Sequence, residues 1–218
     1  MIPVDKVYSL VNDLLSKNNG VSLTPEEFDR YAEVASDGLF DSYRGADNPN
    51  ATKVVYGHNR TLDSRLKNHR VPEYALPLDL LGYGSYPEDW VQTLSMRTVD
   101  YKPIRPIDED RAAVAISQDP YTKPSEDEML YEEFDSGIKV HPAGDNAVVL
   151  NYLRKPVKAV YAYTTVNRRA VFDPINSVNF DWDESQLGEL TYRILQLVGV
   201  SMDKGQIVQY SEAKQAQE

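Results

Sequence analysis

The chain has 218 residues, with 34 acidic against 23 basic side chains, a net charge of −11 and no cysteine. Lack of cysteine excludes disulfides, thiol catalysis and zinc–thiolate sites, and an acidic balance works against binding a phosphate backbone. A hydrophobic fraction of 41% and a mean hydropathy of −0.51 predict a soluble protein of one large or two small domains, with no apolar run near the roughly 18 residues of a membrane span.

The opening Met1-Ile2-Pro3-Val4-Asp5 lacks the basic start and apolar core of a secretion leader, so none is expected. Val7, Leu10, Val11, Leu14 and Leu15 fall on one face at helical spacing, which predicts a helix from about Pro3 to Lys17, stopped by Asn18-Asn19-Gly20. Thr24-Pro25-Glu26-Glu27 then combines an N-cap, a proline at the first helical position and the acid that closes a capping box. The helix it starts turns Phe28, Tyr31, Ala32, Ala35 and Leu39 inward and ends near Tyr43-Arg44-Gly45. These two helices form an antiparallel hairpin with an uncovered apolar seam.

Residues 46–72 are polar, without sustained periodicity, and locally basic through Lys53, Arg60, Arg65, Lys67 and Arg70. Such a stretch reads as an extended arm that orders against a partner. Beyond it, prolines punctuate short segments, as in a small β domain. Trp90 to Val99 is a predicted strand, and Asp108 to Ser117 a short helix capped by Asp108. Gly137 to Pro142 and Ala147 to Arg154 read as a strand pair across a four-residue turn, and Ala159 to Thr164 with Ala170 to Phe172 as another around Asn167. From Trp182 the pattern is helical again: Asp183 as N-cap with Gln186 reaching back, a stripe of Leu187, Leu190, Ile194, Leu197 and Val198, and Gly199 as the stop. A second short helical pattern runs on to Tyr210.

The two helical ends each need a cover, and each can serve the other. The expectation is therefore an α+β fold: a helical bundle from residues 1–45 and 181–218, an arm at 46–72, and an inserted small β-sandwich or β-sheet domain at 73–180.

Charge is segregated along the chain. Between Asp108 and Asp135 ten acids, Glu126, Asp127 and Glu128 among them, stand against Arg111 and Lys123. Between Tyr152 and Arg169 there are five basic residues, Arg154, Lys155, Lys158, Arg168 and Arg169, and no acid. Either these are ordinary solvated faces, or they are complementary surfaces on neighbouring subunits that set register and partner choice.

Familiar chemistry fails on spacing. Gly20 with Glu26-Glu27 suggests a calcium loop, yet with Gly20 at the sixth position Leu15 and Lys17 stand where carboxylates are required. His58, His69 and His141 share no metal-ligand spacing. Around Ser85, Tyr83 and Pro87 occupy the two glycine positions of a nucleophile elbow, and Pro87 also breaks the dinucleotide fingerprint. No catalytic residue, cofactor or metal is assigned, and the 15 tyrosines read as core and interface material rather than a base-stacking platform.

The order of several short segments resembles a ring protein of the head-to-tail connector in crAss-like and related short-tailed phages of Bacteroidetes. The matching pieces are Tyr8-Ser9-Leu10-Val11-Asn12, Leu23 through Tyr31, Gly137-Ile138-Lys139-Val140-His141-Pro142 and Tyr152-Leu153-Arg154-Lys155-Pro156. Phe180-Asp181-Trp182, Arg193-Ile194-Leu195, Val198-Gly199-Val200 and Gln209-Tyr210 complete them. Both chain ends and the β part are covered; residues 46–87 contribute little, and Asp183 stands where a proline is expected. The resemblance implies an adaptor in the virion, made in the bacterial cytoplasm, that docks beneath a dodecameric portal as a homo-oligomeric ring of about twelve copies. It also implies contacts with tail and ring proteins, and a negative lumen that passes DNA without specific binding. On that reading Glu126, Asp127 and Glu128 meet Arg154, Lys155, Lys158, Arg168 and Arg169 of the next subunit. Lys53, Arg60, Arg65, Lys67 and Arg70 form a portal- or partner-binding arm. The alternatives are another virion component, such as a tail-hub or head-completion protein, or an uncharacterised enzyme.

Overall fold

The computed structural model describes residues 1–20, 22–44, 64–108, 111–112, 123–144, 147–166 and 169–201. The chain divides into two compact units, one of Met1–Asn68 with Pro156–Glu218 and one of His69–Lys155.

The first unit holds α1 (Val4–Asn19), α2 (Pro25–Arg44), α3 (Leu187–Ser201) and a two-stranded antiparallel sheet of β8 (Tyr163–Val166) and β9 (Arg169–Phe172). α1 buries Val4, Val7, Val11 and Leu15 on one stripe. Gly20 ends it in the left-handed region, φ 64°, where a side chain is unfavourable, and its N–H reaches the Ser16 carbonyl at 3.1 Å. The capping box forms as the letters predict. Thr24 Oγ1 accepts the Glu27 N–H at 3.3 Å and Glu27 Oε2 accepts the Thr24 N–H at 3.0 Å. The Thr24 N–H first, then the Thr24 hydroxyl, which donates to Glu27 Oε2 at 2.9 Å, hold the Glu27 carboxyl below its ordinary pKa. Thr24→Ala is expected to lower stability by about 1 kcal/mol in urea titration at neutral pH. Because the folded-state value is the depressed one, Glu27's share is present above the ordinary glutamate range and is lost as pH falls from there through the depressed folded-state value. The difference between parent and E27Q should therefore close in acid.

α2 buries Phe28, Ala32, Leu39 and Tyr43 and packs against α3, with Phe28 meeting Tyr8 of α1 edge-on at 5.2 Å. α3 is entered through a 3-10 turn at Glu184–Gln186, where Asp183 accepts the Ser185 N–H at 3.1 Å. Gln186 does not reach back to the cap: its side-chain amide donates to the Arg65 carbonyl at 3.4 Å. Gly199 is not the stop either, since the helix runs on to Ser201. The helical pattern expected beyond it lies outside the described residues.

Extended segments close this unit. Ile2 and Phe180 exchange backbone bonds at 3.1 Å, and Val160 does the same with Val178. Trp182 is fully buried; its indole N–H donates to Ser36 Oγ at 2.8 Å and its ring meets Tyr43 edge-on at 5.9 Å. Tyr43 in turn donates to Glu189 Oε2 at 2.5 Å, with the Arg65 guanidinium 5.0 Å above its ring. Burial first, then Glu189, pushes the Tyr43 hydroxyl well above its ordinary pKa, so it remains a donor. Arg65 and Arg193 approach Glu189 only to 3.6 Å. Tyr43→Phe should therefore lower stability by about 1.5–3 kcal/mol, the range for a bond to a charged acceptor; a loss below about 0.5 kcal/mol would mean the arginines satisfy Glu189 alone.

The second unit is one seven-stranded sheet in the order β1-β7-β3-β4-β5-β6-β2. Its strands are β1 (Arg70–Leu76), β2 (Tyr83–Ser85), β3 (Trp90–Thr98), β4 (Pro103–Pro106), β5 (Leu130–Phe134), β6 (Gly137–His141) and β7 (Val148–Arg154). All neighbours are antiparallel except β4 and β5, joined at Arg105↔Leu130 and Pro106↔Tyr131 alone. The sheet curls, because a Cβ on Gly84 of β2 would lie 3.1 Å from Leu76 of β1, at the other edge. The concave face holds Leu76, Met96, Ile104, Tyr131, Ile138, Val140, Val148, Leu150 and Tyr152. β1 carries a bulge between Val71↔Tyr152 and Tyr74↔Leu150. Glu73 occupies it at φ 56°, its N–H held by Asn151 Oδ1 at 2.8 Å and its carboxylate by Arg97 at 2.8 Å.

Two expectations are overturned. The chain is not a helical bundle carrying a small β insert. Three helices occur among the described residues, and the architecture is mostly β, with a large curled mixed sheet and a second small one. The apolar helix stripes are real, but extended segments around Phe180, Trp182 and Tyr161 share in covering them. The strands at 137 and 148 exist but do not pair with each other: β6 lies between β5 and β2, and β7 between β1 and β3. Pro142 has no N–H to carry a ladder onward, whereas the two residues Asp135 and Ser136 let β6 fold directly back on β5. Of the predicted helix from Asp108, a first turn is described, with the Asp108 carbonyl accepting from Arg111 and Ala112 at 2.9 Å; the rest lies outside the described residues.

Candidate functional site

Strand register in the second unit brings several connections to one rim. Thr98 and Leu76 both face Val148, Arg97 faces Pro103, Tyr83 faces Lys139, and Leu130 faces His141. The Asp79–Tyr83 turn, the Thr98–Lys102 turn, the residues before β5 and those after His141 therefore emerge together.

Two of these turns are locked by their own hydrogen bonds. Asp79 Oδ1 accepts the N–H groups of Leu81 and Tyr83 at 2.9 and 2.8 Å, and the Asp79 carbonyl accepts from Gly82 at 2.9 Å. Gly82, at φ 82°, must be glycine, because a Cβ would stand 2.5 Å from the Val140 carbonyl. In the second turn the Thr98 N–H donates to the Lys102 carbonyl at 2.8 Å, and Thr98 Oγ1 accepts the Lys102 N–H at 3.1 Å. Tyr101 takes φ 65° there, a position that favours glycine or asparagine, and its ring lies 4.0 Å from the Arg97 guanidinium.

The locked turns point apolar side chains at solvent. Leu80 is 77% exposed, Leu81 65%, Val99 62% and Tyr101 75%. Beside them runs a groove of about 380 Å³ lined by Val99, Asp100, Lys102, Glu126, Met129 and Ala143. Lys102 Nζ is bound to Asp127 at 2.5 Å, which holds the Asp127 carboxyl low and the Lys102 ammonium high. Asp100, Glu126 and Glu128 are exposed, so the rim is acidic.

The first unit repeats the device once. Asp173 Oδ1 accepts the N–H of Ile175 at 3.0 Å and of Asn176 at 3.4 Å, while Asp173 Oδ2 accepts from the Asn176 amide at 2.7 Å. The Asn176 amide, followed by the Ile175 N–H, keeps the Asp173 carboxyl below its ordinary range. Ile175 at the tip is 89% exposed, and Tyr163, Val171 and Val178 are exposed on the same β8–β9 region.

No protein-family model matches the chain, and no curated protein matches it. The site is therefore read from geometry alone.

Of the residues singled out by sequence, Glu126, Asp127 and Glu128 sit at the rim, immediately before β5. Arg154 ends β7 and Lys155 follows it at the other end of the sheet, where Trp90 faces Arg154 and Arg70 faces Leu153. Lys158 belongs to the first unit, where it pairs with Glu33 at 2.6 Å. Arg169 begins β9; Arg168, Lys53 and Arg60 lie outside the described residues. Arg65 stacks on Tyr43, and Lys67 stands in a 3-10 turn, Lys67–His69, whose His69 is buried. Sequence reasoning passed over the turns themselves. Their signal was local: Asp79-Leu80-Leu81-Gly82 and Asp173-Pro174-Ile175-Asn176 are turn signatures with apolar residues where polar ones are usual. No described helix is long and apolar enough to cross a membrane.

Proposed function

We propose that the chain is a structural virion protein that forms a ring in a phage head-to-tail connector, docking on the portal and passing DNA without binding it specifically. The observation that carries this reading is the set of turns with locked backbones and apolar tips. A contiguous exposed apolar patch marks an interaction surface, and a preordered one loses little conformational freedom when it docks. The segment order that resembles connector ring proteins supplies the kind of assembly, and the net charge of −11 suits a passage for DNA, since phosphates meet few cations to pair with.

Electron microscopy of the purified full chain, alone and mixed with portal particles, tests the reading. Closed rings of uniform symmetry, or density added beneath the portal, are the expected images. Single chains at every concentration, with no portal binding, would sink it.

A further inference from the structure

The groove beside the Thr98–Lys102 turn combines two kinds of lining. Val99, Met129, Ala143, Ala147 and Val148 give it apolar walls, while Asp100 and Glu126 reach it from separate segments, the turn and the residues before β5. Both carboxylates are exposed, and neither is held by an ion pair among the described residues. Among the described lining residues Lys102 is the sole cation. It is already bound to Asp127 at 2.5 Å, and the charges of Asp100 and Glu126 add to the pull that raises its ammonium. Arg97, beneath the same turn, is engaged by Glu73 at 2.8 Å and by the Tyr101 ring. The groove thus keeps two negative charges unmatched beside apolar walls.

An anion is repelled there, and a purely apolar occupant would strip water from two carboxylates without replacing it. A cation on an aliphatic stem meets both demands, because the stem covers the apolar walls while the head pairs with the acids. Arginine suits carboxylates from two segments better than lysine, since its guanidinium is a planar fork of donors rather than a point charge. A small free cation would leave Leu80, Leu81 and Tyr101 uncovered on the same rim, so the occupant is polypeptide, with apolar residues flanking the arginine. We infer that the groove seats an arginine side chain of a partner protein whose apolar neighbours cover the rim turns, an inference that rests on the reading of the rim as a docking surface.

Methionine methyl signals test this in the full chain, whether single or assembled. Met129 lines the groove, and Met96, buried in the sheet core, is the internal control. The probes are acetyl-Leu-Arg-Leu-amide, its glutamate counterpart, and butylguanidinium, which has the cationic head without flanking leucines. The arginine peptide should move the Met129 signal to saturation and leave Met96 in place, whereas the glutamate peptide should move neither. Asp100→Asn combined with Glu126→Gln should weaken the arginine peptide about tenfold, the sum of two partly exposed charge pairs. Both side chains are exposed, and an unchanged melting temperature establishes that the variant folds. Raising salt should weaken binding as the charges are screened. Equal shifts from the arginine and glutamate peptides, or equal binding by parent and variant, would show that the carboxylates select nothing and overturn the inference. Butylguanidinium binding as tightly as the peptide assigns the groove to a free cation and overturns it too, as does a Met129 signal that no probe moves. Closed rings with a silent Met129 remove the arginine alone; single chains that bind the peptide remove the ring alone.

Discussion

Replacing Trp182 with alanine should destabilise the first unit by about 3–5 kcal/mol, the range for emptying a buried aromatic position. Trp182 is fully buried, faces Tyr43 edge-on at 5.9 Å and donates to Ser36 at 2.8 Å. Alanine removes the ring and leaves the Ser36 hydroxyl without its donor, a further penalty of about 1 kcal/mol. Trp182→Phe separates the two effects, because most of the apolar volume stays while the N–H goes; its expected loss is about 1–2 kcal/mol. The chain has two tryptophans, and the other, Trp90, lies in the second unit. In W182A tryptophan emission therefore follows the second unit alone, while helical circular dichroism follows chiefly the first, where α1, α2 and α3 lie. A helical transition within about 1 kcal/mol of the parent would show that Trp182 does not anchor its unit.

Gly137→Ala should cost about 3 kcal/mol, the upper end of the range for overpacking, because the obstacle is backbone. A Cβ there would lie 2.1 Å from the Gly84 carbonyl oxygen and 3.1 Å from Ser85 Cα, so β2 must leave β6. Amide exchange reads the consequence directly: the Val140 N–H, bonded to the Gly82 carbonyl at 2.9 Å, should lose protection while amides of β7 keep theirs. Gly188 provides the opposite case. Nothing lies within 4 Å of its would-be Cβ and it sits in α3, so Gly188→Ala should raise stability by about 0.5–1 kcal/mol through helix propensity. Equal effects at the two glycines would refute the close approach of β2 to β6.

Features confined to a few neighbouring residues were readable from the letters. The Thr24–Glu27 box, Gly20 and the Asp183 cap depend on bonds that span at most four positions. The α1 stripe was legible for the same reason. Pairing was not. β6 and β7 each carry strand letters, but which strands flank them depends on partners as distant as Arg70 and Tyr83, and a single sequence has no local mark of that choice. Gly199 misled because a glycine after an apolar stripe usually stops a helix, whereas this helix continues to Ser201. The left-handed Tyr101 was invisible for the reverse reason, since a tyrosine advertises an extended backbone. Its conformation is imposed by the Thr98–Lys102 bonds around it.

The parallel junction of β4 and β5 has a mechanical meaning. Backbone continuity across the curled sheet rests there on two residue pairs, with the Arg105 N–H on the Met129 carbonyl at 3.1 Å and the Ile107 N–H on the Tyr131 carbonyl at 2.9 Å. On one side stand Leu76, Met96, Ile104, Val148, Leu150 and Tyr152; on the other, Tyr131, Ile138 and Val140. What holds the halves together is mostly oily contact between those two sets, which has no preferred direction, rather than a zipper of amides. Under tension the sheet would part along this line first, with each half keeping its own ladder.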